Sequence, residues 1–424
     1  MRGMARKYRK FSLEFRDEAL FSDGNLSSAA LVLNSTTADA ILAAISPTLN
    51  FQPINIGAVP LIVSNELIDS ASERVEALVQ SARTDWDDFE TSWDFETPSF
   101  LNATQPSLVS RFREWSARWR ERSVDQQRLE VENNRVVADA YELSGEIPTD
   151  VPLHRVSLMR NVEFRYGAGR AAANYESLER ADLVAELMSY AVGCMFGRYS
   201  LDEPGLILAD QGATLQDYLT KIPVPRFRPD VDNVIPIVDD GWFEDDIVER
   251  FRQFLRAAFG AEHFEDNLRV VEEALGVKTL RDYFITKAGK SRFYDDHVQR
   301  YKKRPIYWMF SSPKGSFNAL IYMHRYNPST VSTVLNEYLR EYRAKLEVAL
   351  ANAEQAAAGQ SSATGQKEAD RLRKVLAELR DYEHDVLYPL ATQQIAIDLD
   401  DGVKANYPKF YPALKKITGL EAAE

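Results

Sequence analysis

The sequence predicts a mainly α-helical protein that also contains mixed α/β segments. Apolar residues recur at steps of three and four over long stretches, which is the period of one buried helix face. Apolar runs with the length of strands are few and short, and they lie at residues 29–33, 234–238, 305–310 and 319–323. Near the C-terminal end, two further apolar seams flank a small polar linker. This pattern is typical of two long antiparallel helices joined at a tip.

Length and composition favour a folded protein of several domains. The chain has 424 residues, and a length of this order suggests two to three domains. No segment is apolar for long enough to span a membrane, and no apolar core of signal-peptide length follows the basic N-terminus. The single cysteine, Cys194, excludes an intramolecular disulfide framework and a Cys-based zinc site. We therefore expect a cytoplasmic protein.

The first third of the chain is predicted to be mostly helical. A short strand is expected at residues 29–33, a helix from about Thr37, and a strand-and-loop segment over residues 51–62. A long helix then begins at Ser64 or Asn65. Its buried stripe comprises Leu67, Ala71, Val75, Leu78, Ala82, Trp86 and Phe89. A second long helix carries Phe112, Trp115 and Trp119, continues to Tyr141, and is ended by Gly145 and Pro148. We expect residues 1–63 and 64–149 to form separate parts, the latter a helical spacer.

The remainder divides into a mixed domain, a hairpin and a tail. Residues 150–329 combine a helix bearing Leu183, Leu187, Ala191 and Cys194 with a strand at 234–238 and a helix capped by Asp240 and closed by Gly260. The runs at 305–310 and 319–323 are predicted to pair as strands. Residues 330–390 should form the antiparallel helical hairpin, with residues 391–424 as a C-terminal tail. Such a hairpin ordinarily serves spacing or dimerisation.

Several motifs suggest catalysis or metal binding but fail on the detail of their residues. Gly167-Ala168-Gly169 lacks the preceding buried strand of a cofactor loop. Gly289-Lys290-Ser291 matches the end of a phosphate-binding loop, but Phe284 stands where its first glycine belongs. The acidic run at 398–401 lacks the bidentate Glu of a calcium loop, and the one at 239–246 favours a helix N-terminus. We expect neither a catalytic residue nor a metal site in this chain.

Positive charge is concentrated in one internal stretch. The whole chain has a formal net charge of −13, which argues against nonspecific nucleic-acid binding by its entire surface. Residues 278–325, hereafter the basic window, contain eleven basic residues against three acidic ones, a net charge of +8. The N-terminal residues 1–16 carry +5. Any contact with a polyanion is therefore expected in these two stretches.

The basic window supplies the candidate DNA-binding residues. Basic side chains alternate there with aromatic ones, so phosphates could be neutralised beside an aromatic core or platform. The candidates are Arg292, Arg300, Lys302, Lys303, Arg304, Lys314 and Arg325. Residues 307–310 are interpreted as a buried strand. His297 and His324 lie in the same window, where a structural role is favoured over a phosphate contact.

The same window resembles a known family. Residues 303–312 read KRPIYWMFSS and residues 315–326 read GSFNALIYMHRY. These segments, together with SYAVGCMFGRYSLD at 189–202, DDGWF at 239–243 and DLDDGVK at 398–404, resemble the C-terminal region of the PglX family. PglX proteins are adenine-specific DNA methyltransferases of bacteriophage-exclusion (BREX) defence. PTLNFQ at 47–52, with Ile56, Gly57 and Pro60, is similar to the segment that closes the target-recognition domain of the family.

The resemblance implies a DNA-recognition role without catalysis. The family's catalytic half carries an Asn-Pro-Pro-Tyr motif and a glycine motif for S-adenosylmethionine, whereas this sequence contains no Pro-Pro pair. Residues 1–63 are then expected to be the end of a target-recognition domain. The cofactor would belong to a missing catalytic half, which becomes the expected partner together with duplex DNA and other BREX proteins. An acidic helical scaffold that docks defence proteins without touching DNA remains the alternative, and a decayed gene product is a third possibility.

Overall fold

A computed structural model of the chain describes residues 27–46, 53–62, 65–103, 105–360 and 363–421. The basic N-terminal stretch 1–16 and residues 47–52 lie outside the described residues, as do the side chains of Leu67 and Ala71. The described part is mainly helical with one small sheet, as predicted. The chain divides into two compact units, residues 1–95 with 112–180, and residues 96–111 with 181–424. The finer division into five parts stays a prediction.

The first unit is built from helices. The described ones are α1 (Ser27–Leu33), α2 (Thr36–Ile45), α3 (Pro53–Gly57), α4 (Asn65–Asp87), the greater part of α5 (Leu108–Ala140), α6 (Val162–Tyr166) and the first part of α7 (Ala172–Met195). One apolar cluster joins α1 and α2 to α4 and α5 through Leu31, Leu42, Val75 and Val137. The two long helices predicted from periodicity are therefore confirmed.

Two predictions for the first unit are wrong. Residues 29–33 are helical, and the described part of 51–62 begins with helix α3. Both errors share a cause, because a short apolar run does not distinguish a buried strand from a buried helix. Every residue from 29 to 33 is buried. The segment therefore shows neither the two-residue alternation of a strand nor the 3.6-residue repeat of a helix.

The second unit surrounds a three-stranded antiparallel sheet of order β1-β3-β2, formed by β1 (Ile235–Pro236), β2 (Tyr307–Ser311) and β3 (Asn318–Tyr322). Met309 pairs with Leu320, so the predicted pairing of the two apolar runs is confirmed. β1 is shorter than the predicted 234–238. The backbone of residues 413–415 adds to the outer edge of β2, where the Ser311 N–H donates to the Ala413 carbonyl at 2.9 Å. This tail segment therefore satisfies an otherwise open sheet edge.

The second unit also contains a series of helices. They are α8 (Leu215–Lys221), α9 (Ile247–Phe259), α10 (Phe264–Leu275), α11 (Leu280–Phe284), α12 (Arg292–Arg300), α13 (Thr330–Thr333), α14 (Arg340–Gln360), α15 (Ala363–Tyr382), α16 (Tyr388–Gln393) and α17 (Val403–Asn406). Gly260 closes α9 as predicted. The N-cap is Asp246 rather than the predicted Asp240, because the helix starts later and the Asp246 carboxylate accepts from the Val248 N–H.

The predicted helical hairpin is confirmed. π-Helical turns at Val334–Leu339 and Glu383–Leu387 extend α14 and α15. Arg373 pairs with Glu354 at 2.6 Å and Arg380 with Glu347 at 3.2 Å, which requires the two helices to run antiparallel. Residues 361–362 between them lie outside the described residues. No helix in the described ranges has the length and hydropathy needed to cross a membrane.

Candidate nucleic-acid interface

Three consecutive basic residues lie in the turn that follows α12. Lys302, Lys303 and Arg304 are all exposed, and none of them forms an ion pair with a residue in the described ranges. Backbone hydrogen bonds fix the turn, since the Lys303 N–H donates to the Val298 carbonyl at 2.8 Å. Lys302 and Lys303 have φ values of 52° and 61°, a left-handed conformation that glycine and asparagine ordinarily occupy. The turn therefore presents two strained lysines to solvent.

These lysines line a cavity of about 450 Å³ together with residues that the sequence analysis did not select. Lys415, Lys416, Ile417 and Thr418 come from the C-terminal segment, and α12 contributes Tyr294, Asp295, Val298 and Gln299. We call this the lysine cavity. The pairing of residues 413–415 with β2, which includes a bond from the Lys415 N–H to the Met309 carbonyl at 2.8 Å, fixes the tail beside the turn.

Lys314 lies at the tip of the turn between β2 and β3. The buried Glu378 of α15 fixes this turn by accepting hydrogen bonds from Ser312 Oγ at 2.6 Å, the Lys314 N–H at 2.7 Å and Ser316 Oγ at 2.5 Å. The Lys314 side chain remains exposed. The turn also contacts Gly289, and Lys415 Nζ donates to the Gly289 carbonyl at 3.3 Å. Lys290 and Lys314 therefore lie close to the lysine cavity.

The other three candidates use their guanidinium groups within the protein. Arg325 is only 6% exposed and donates to the carbonyls of Phe196, Asp230 and Val231. Arg300 is half-buried and donates to the Ala185 carbonyl, and Arg292 is exposed but donates to the Leu275 carbonyl at 2.6 Å. We leave Arg325 out of the proposed interface because its charge is buried. The turn residues Lys302, Lys303, Arg304 and Lys314 form the accessible group.

Both histidines of the basic window have structural surroundings. His297 is buried, and its Nε2 accepts hydrogen bonds from the Ile306 and Tyr307 N–H groups, each at 3.2 Å. Burial lowers the pKa of His297 well below its usual value. Burial, assisted by Arg198, lowers the pKa of His324 to about 4, and the ring lies 4.8 Å from that of Tyr322. Both rings are therefore neutral at pH 7 and add no charge to the surface.

The motifs rejected on sequence grounds have structural roles. Residues 162–166, before Gly167, form helix α6 rather than a strand. Ser291 caps α12 by accepting from the Tyr294 N–H. Asp398 caps a short helical turn, and Asp239 accepts from the Tyr342 hydroxyl at 3.0 Å. Within the described part of the chain, no group of three or more His, Cys, Asp or Glu residues is arranged to hold a metal ion.

Comparison with known proteins gives the family. No family model matches the chain. It is 34% identical over 410 residues to the adenine-specific methyltransferase BrxX of Escherichia coli O9:H4 (strain HS), covering 91% of this chain and 33% of that protein. It is 30% identical over 416 residues to the adenine-specific methyltransferase PglX of Lacticaseibacillus casei (strain Zhang), covering 92% of this chain and 31% of that protein. The chain spans about a third of the length of these curated relatives, and over that span it belongs to the PglX-type family of adenine-specific methyltransferases.

Proposed function

We propose that this chain is a DNA-binding, non-catalytic portion of a PglX-type adenine methyltransferase that acts in BREX phage defence. The observation that carries the proposal is the grouping of basic residues from separate segments. These are the exposed Lys302 to Arg304 and Lys314 from the basic window, with the half-buried Lys415 and the exposed Lys416 from the tail. Several phosphates of a duplex could contact such a surface even though the whole chain is acidic. Phosphate contacts of this kind position DNA and do not read its sequence.

Catalysis and the methyl donor are assigned to another part of the enzyme. The sequence contains no Asn-Pro-Pro-Tyr motif, and the described residues form no glycine loop after a buried strand. A flipped adenine needs a pocket beside S-adenosylmethionine. We therefore propose that a catalytic methyltransferase portion, and other BREX proteins, are the partners in the cytoplasm. The chain incubated with labelled S-adenosylmethionine and DNA should transfer no label to adenine. Donor-dependent labelling would contradict this assignment.

The proposed binding of DNA is tested by the salt dependence of duplex affinity. Lys302, Lys303, Arg304 and Lys314 are replaced by Gln, and the affinity for a fluorescent duplex is measured over a salt series, with and without a co-expressed catalytic portion. Each basic side chain that binds a phosphate contributes about 0.9 to the slope of log affinity against log salt, so the slope should fall by up to about 3.6 for all four. Sequence preference should stay unchanged.

A control variant separates a local effect from the reduction of total charge. The control replaces four exposed basic residues of α15 by Gln and so removes the same number of positive charges from another surface. They are Lys367, Arg373, Lys374 and Arg380. This control should leave the slope unaltered. Equal slopes in both variants and in the unmodified chain would reject the proposed interface. If the unmodified chain also failed to bind duplex, the acidic scaffold that docks defence proteins would be the better description.

A further inference from the structure

The lysine cavity differs in shape and lining from a surface that meets only a duplex. The exposed Lys302, Lys303 and Lys416 form its rim, whereas Tyr294 and Ile417 are almost completely buried and form its floor. Its volume of about 450 Å³ lies in the range of pockets that enclose small ligands, roughly 300–1,000 Å³. A duplex is a convex rod, so its phosphates would reach the rim and leave the floor uncovered.

The charge of the cavity fits several phosphate groups. Four lysines face one carboxylate, that of Asp295, among the lining residues. Lys416 lies 3.4 Å from Glu421, and Lys415 donates to the Gly289 carbonyl. Within the described ranges, Lys302 and Lys303 have no ion pair. The ammonium groups of Lys302 and Lys303 are therefore available to bind an anion.

The backbone gives a second, independent reason to regard the two rim lysines as functional. Left-handed φ angles cost a residue with a side chain roughly 1–2 kcal/mol relative to the right-handed region, and glycine avoids this cost. Two successive residues carry this conformation, and both are lysines whose side chains line the same cavity. Strain that is retained where a simpler residue would relieve it points to a role for the side chain.

We propose that the lysine cavity binds the phosphate groups of a free nucleotide, with a nucleoside triphosphate the best match to its charge. The lysines would hold the phosphates as point charges. Val298 and Ile417 would contact the less polar sugar and base. The proposal concerns binding of the nucleotide and not its hydrolysis. This inference does not depend on the binding of DNA.

The test is isothermal titration calorimetry of the intact chain with ATP, inorganic tripolyphosphate and adenosine. ATP should bind at one site, tripolyphosphate should compete with it, and adenosine should bind much more weakly. Replacement of Lys302 and Lys303 by Gln should lower the affinity for ATP and for tripolyphosphate about tenfold or more, because two positive charges no longer face the phosphates. Gln at Lys367 and Lys374 of α15 should have no such effect. Thermal denaturation confirms that each variant is folded.

Two further measurements identify the source of the phosphate. A cavity-filling Val298→Phe variant should weaken ATP binding and leave duplex binding at the rim intact. A 5′-phosphorylated oligonucleotide shows whether a DNA end occupies the same site. Absence of ATP and tripolyphosphate binding, or binding that the Lys302 and Lys303 substitutions leave unchanged, would overturn the nucleotide proposal. Duplex binding measured in parallel would then still decide the DNA-binding function separately.

Discussion

Gly289 and Gly315 are in direct backbone contact, and neither position has room for a side chain. A Cβ on Gly289 would lie 2.1 Å from the Lys314 carbonyl oxygen, and one on Gly315 would lie 2.7 Å from the Gly289 carbonyl oxygen. Both residues also have positive φ, 71° and 72°. This contact joins the loop before α12 to the turn that carries Lys314, so it fixes two parts of the basic surface relative to each other.

Gly289→Ala should therefore destabilise the fold more than an alanine at an uncrowded glycine. The left-handed backbone costs roughly 1–2 kcal/mol and the clash with Lys314 adds roughly 1–3 kcal/mol. Gly276→Ala is the matched control, because Gly276 also has positive φ but a Cβ there meets nothing within 4 Å. Urea denaturation of the two variants measures the difference. Equal destabilisation would mean that the loop moves away from the turn without cost.

Glu378 is expected to be a positioning residue for Lys314. Glu378→Ala removes the acceptor of three hydrogen bonds from the turn and leaves buried donors unsatisfied, which should cost about 3 kcal/mol. Glu354→Ala, which removes an exposed ion pair with Arg373, should cost less than about 1 kcal/mol. Urea denaturation checks both values. Duplex affinity is measured at a salt concentration at which the Glu378→Ala variant is folded. An affinity equal to that of the unmodified chain would refute the positioning role of Glu378.

Asp230 should make stability depend on pH in the neutral range. Burial, with the nearby Asp232 carboxylate, raises the pKa of Asp230 to about 7. This folded-state pKa lies above the unfolded value near 3.9. At a pH between these two pKa values, the folded chain therefore binds one more proton at Asp230 than the unfolded chain does. The stabilising contribution is therefore complete below about pH 4 and is lost as pH rises through about 7.

The substitution Asp230→Asn mimics the protonated carboxyl group. Its Oδ1 can still accept from the Asp232 and Val234 N–H groups, now at 3.2 and 3.1 Å. The stability of the variant relative to the unmodified chain should increase from pH 5 to pH 8. Denaturant titrations at pH 5, 6, 7 and 8 measure this difference. A difference that is constant across the series would show that Asp230 is ionised in the folded chain.

Long helices and adjacent strand pairs could be predicted from the sequence because their signals are local and repeated. The stripe of α4 and the two seams of the hairpin extend over many turns, so single exceptions do not obscure the period. The run at 29–33 contains too few residues to show a period, and its burial on all sides comes from tertiary packing. The start of α9 was misplaced because several aspartates in succession could serve as the cap.

The candidate site was predictable only in part because burial and long-range pairing are not local properties. Arg325 and Lys303 carry the same charge in the same basic window, yet packing buries one guanidinium and leaves the other side chain in solvent. Lys415 and Lys416 reach the site through the pairing of residues 413–415 with β2. The sequence shows Lys415 and Lys416 as adjacent basic residues, but no neighbouring sequence motif indicates which strand edge their segment pairs with.

The left-handed turn allows binding to be separated from folding. Replacing Lys302 and Lys303 by Gly removes both charges and relieves two strained φ angles, while it adds the entropy of glycine to the unfolded chain. The strain relieved is roughly 1–2 kcal/mol per residue and the entropic cost roughly 0.5–1 kcal/mol per residue. For the two residues together, we therefore expect stability between unchanged and about 3 kcal/mol higher in urea denaturation. Because the ammonium groups are gone, the salt slope for duplex DNA should fall by up to about 1.8, and ATP binding should weaken about tenfold or more, as for the Gln variant. Lys374→Gly, at an exposed lysine of α15 without a positive φ, is the control and should lower stability by roughly 1 kcal/mol with ATP binding retained. If the double glycine variant were less stable instead, the two lysines would be serving the turn itself, and their left-handed conformation would give no argument for a ligand.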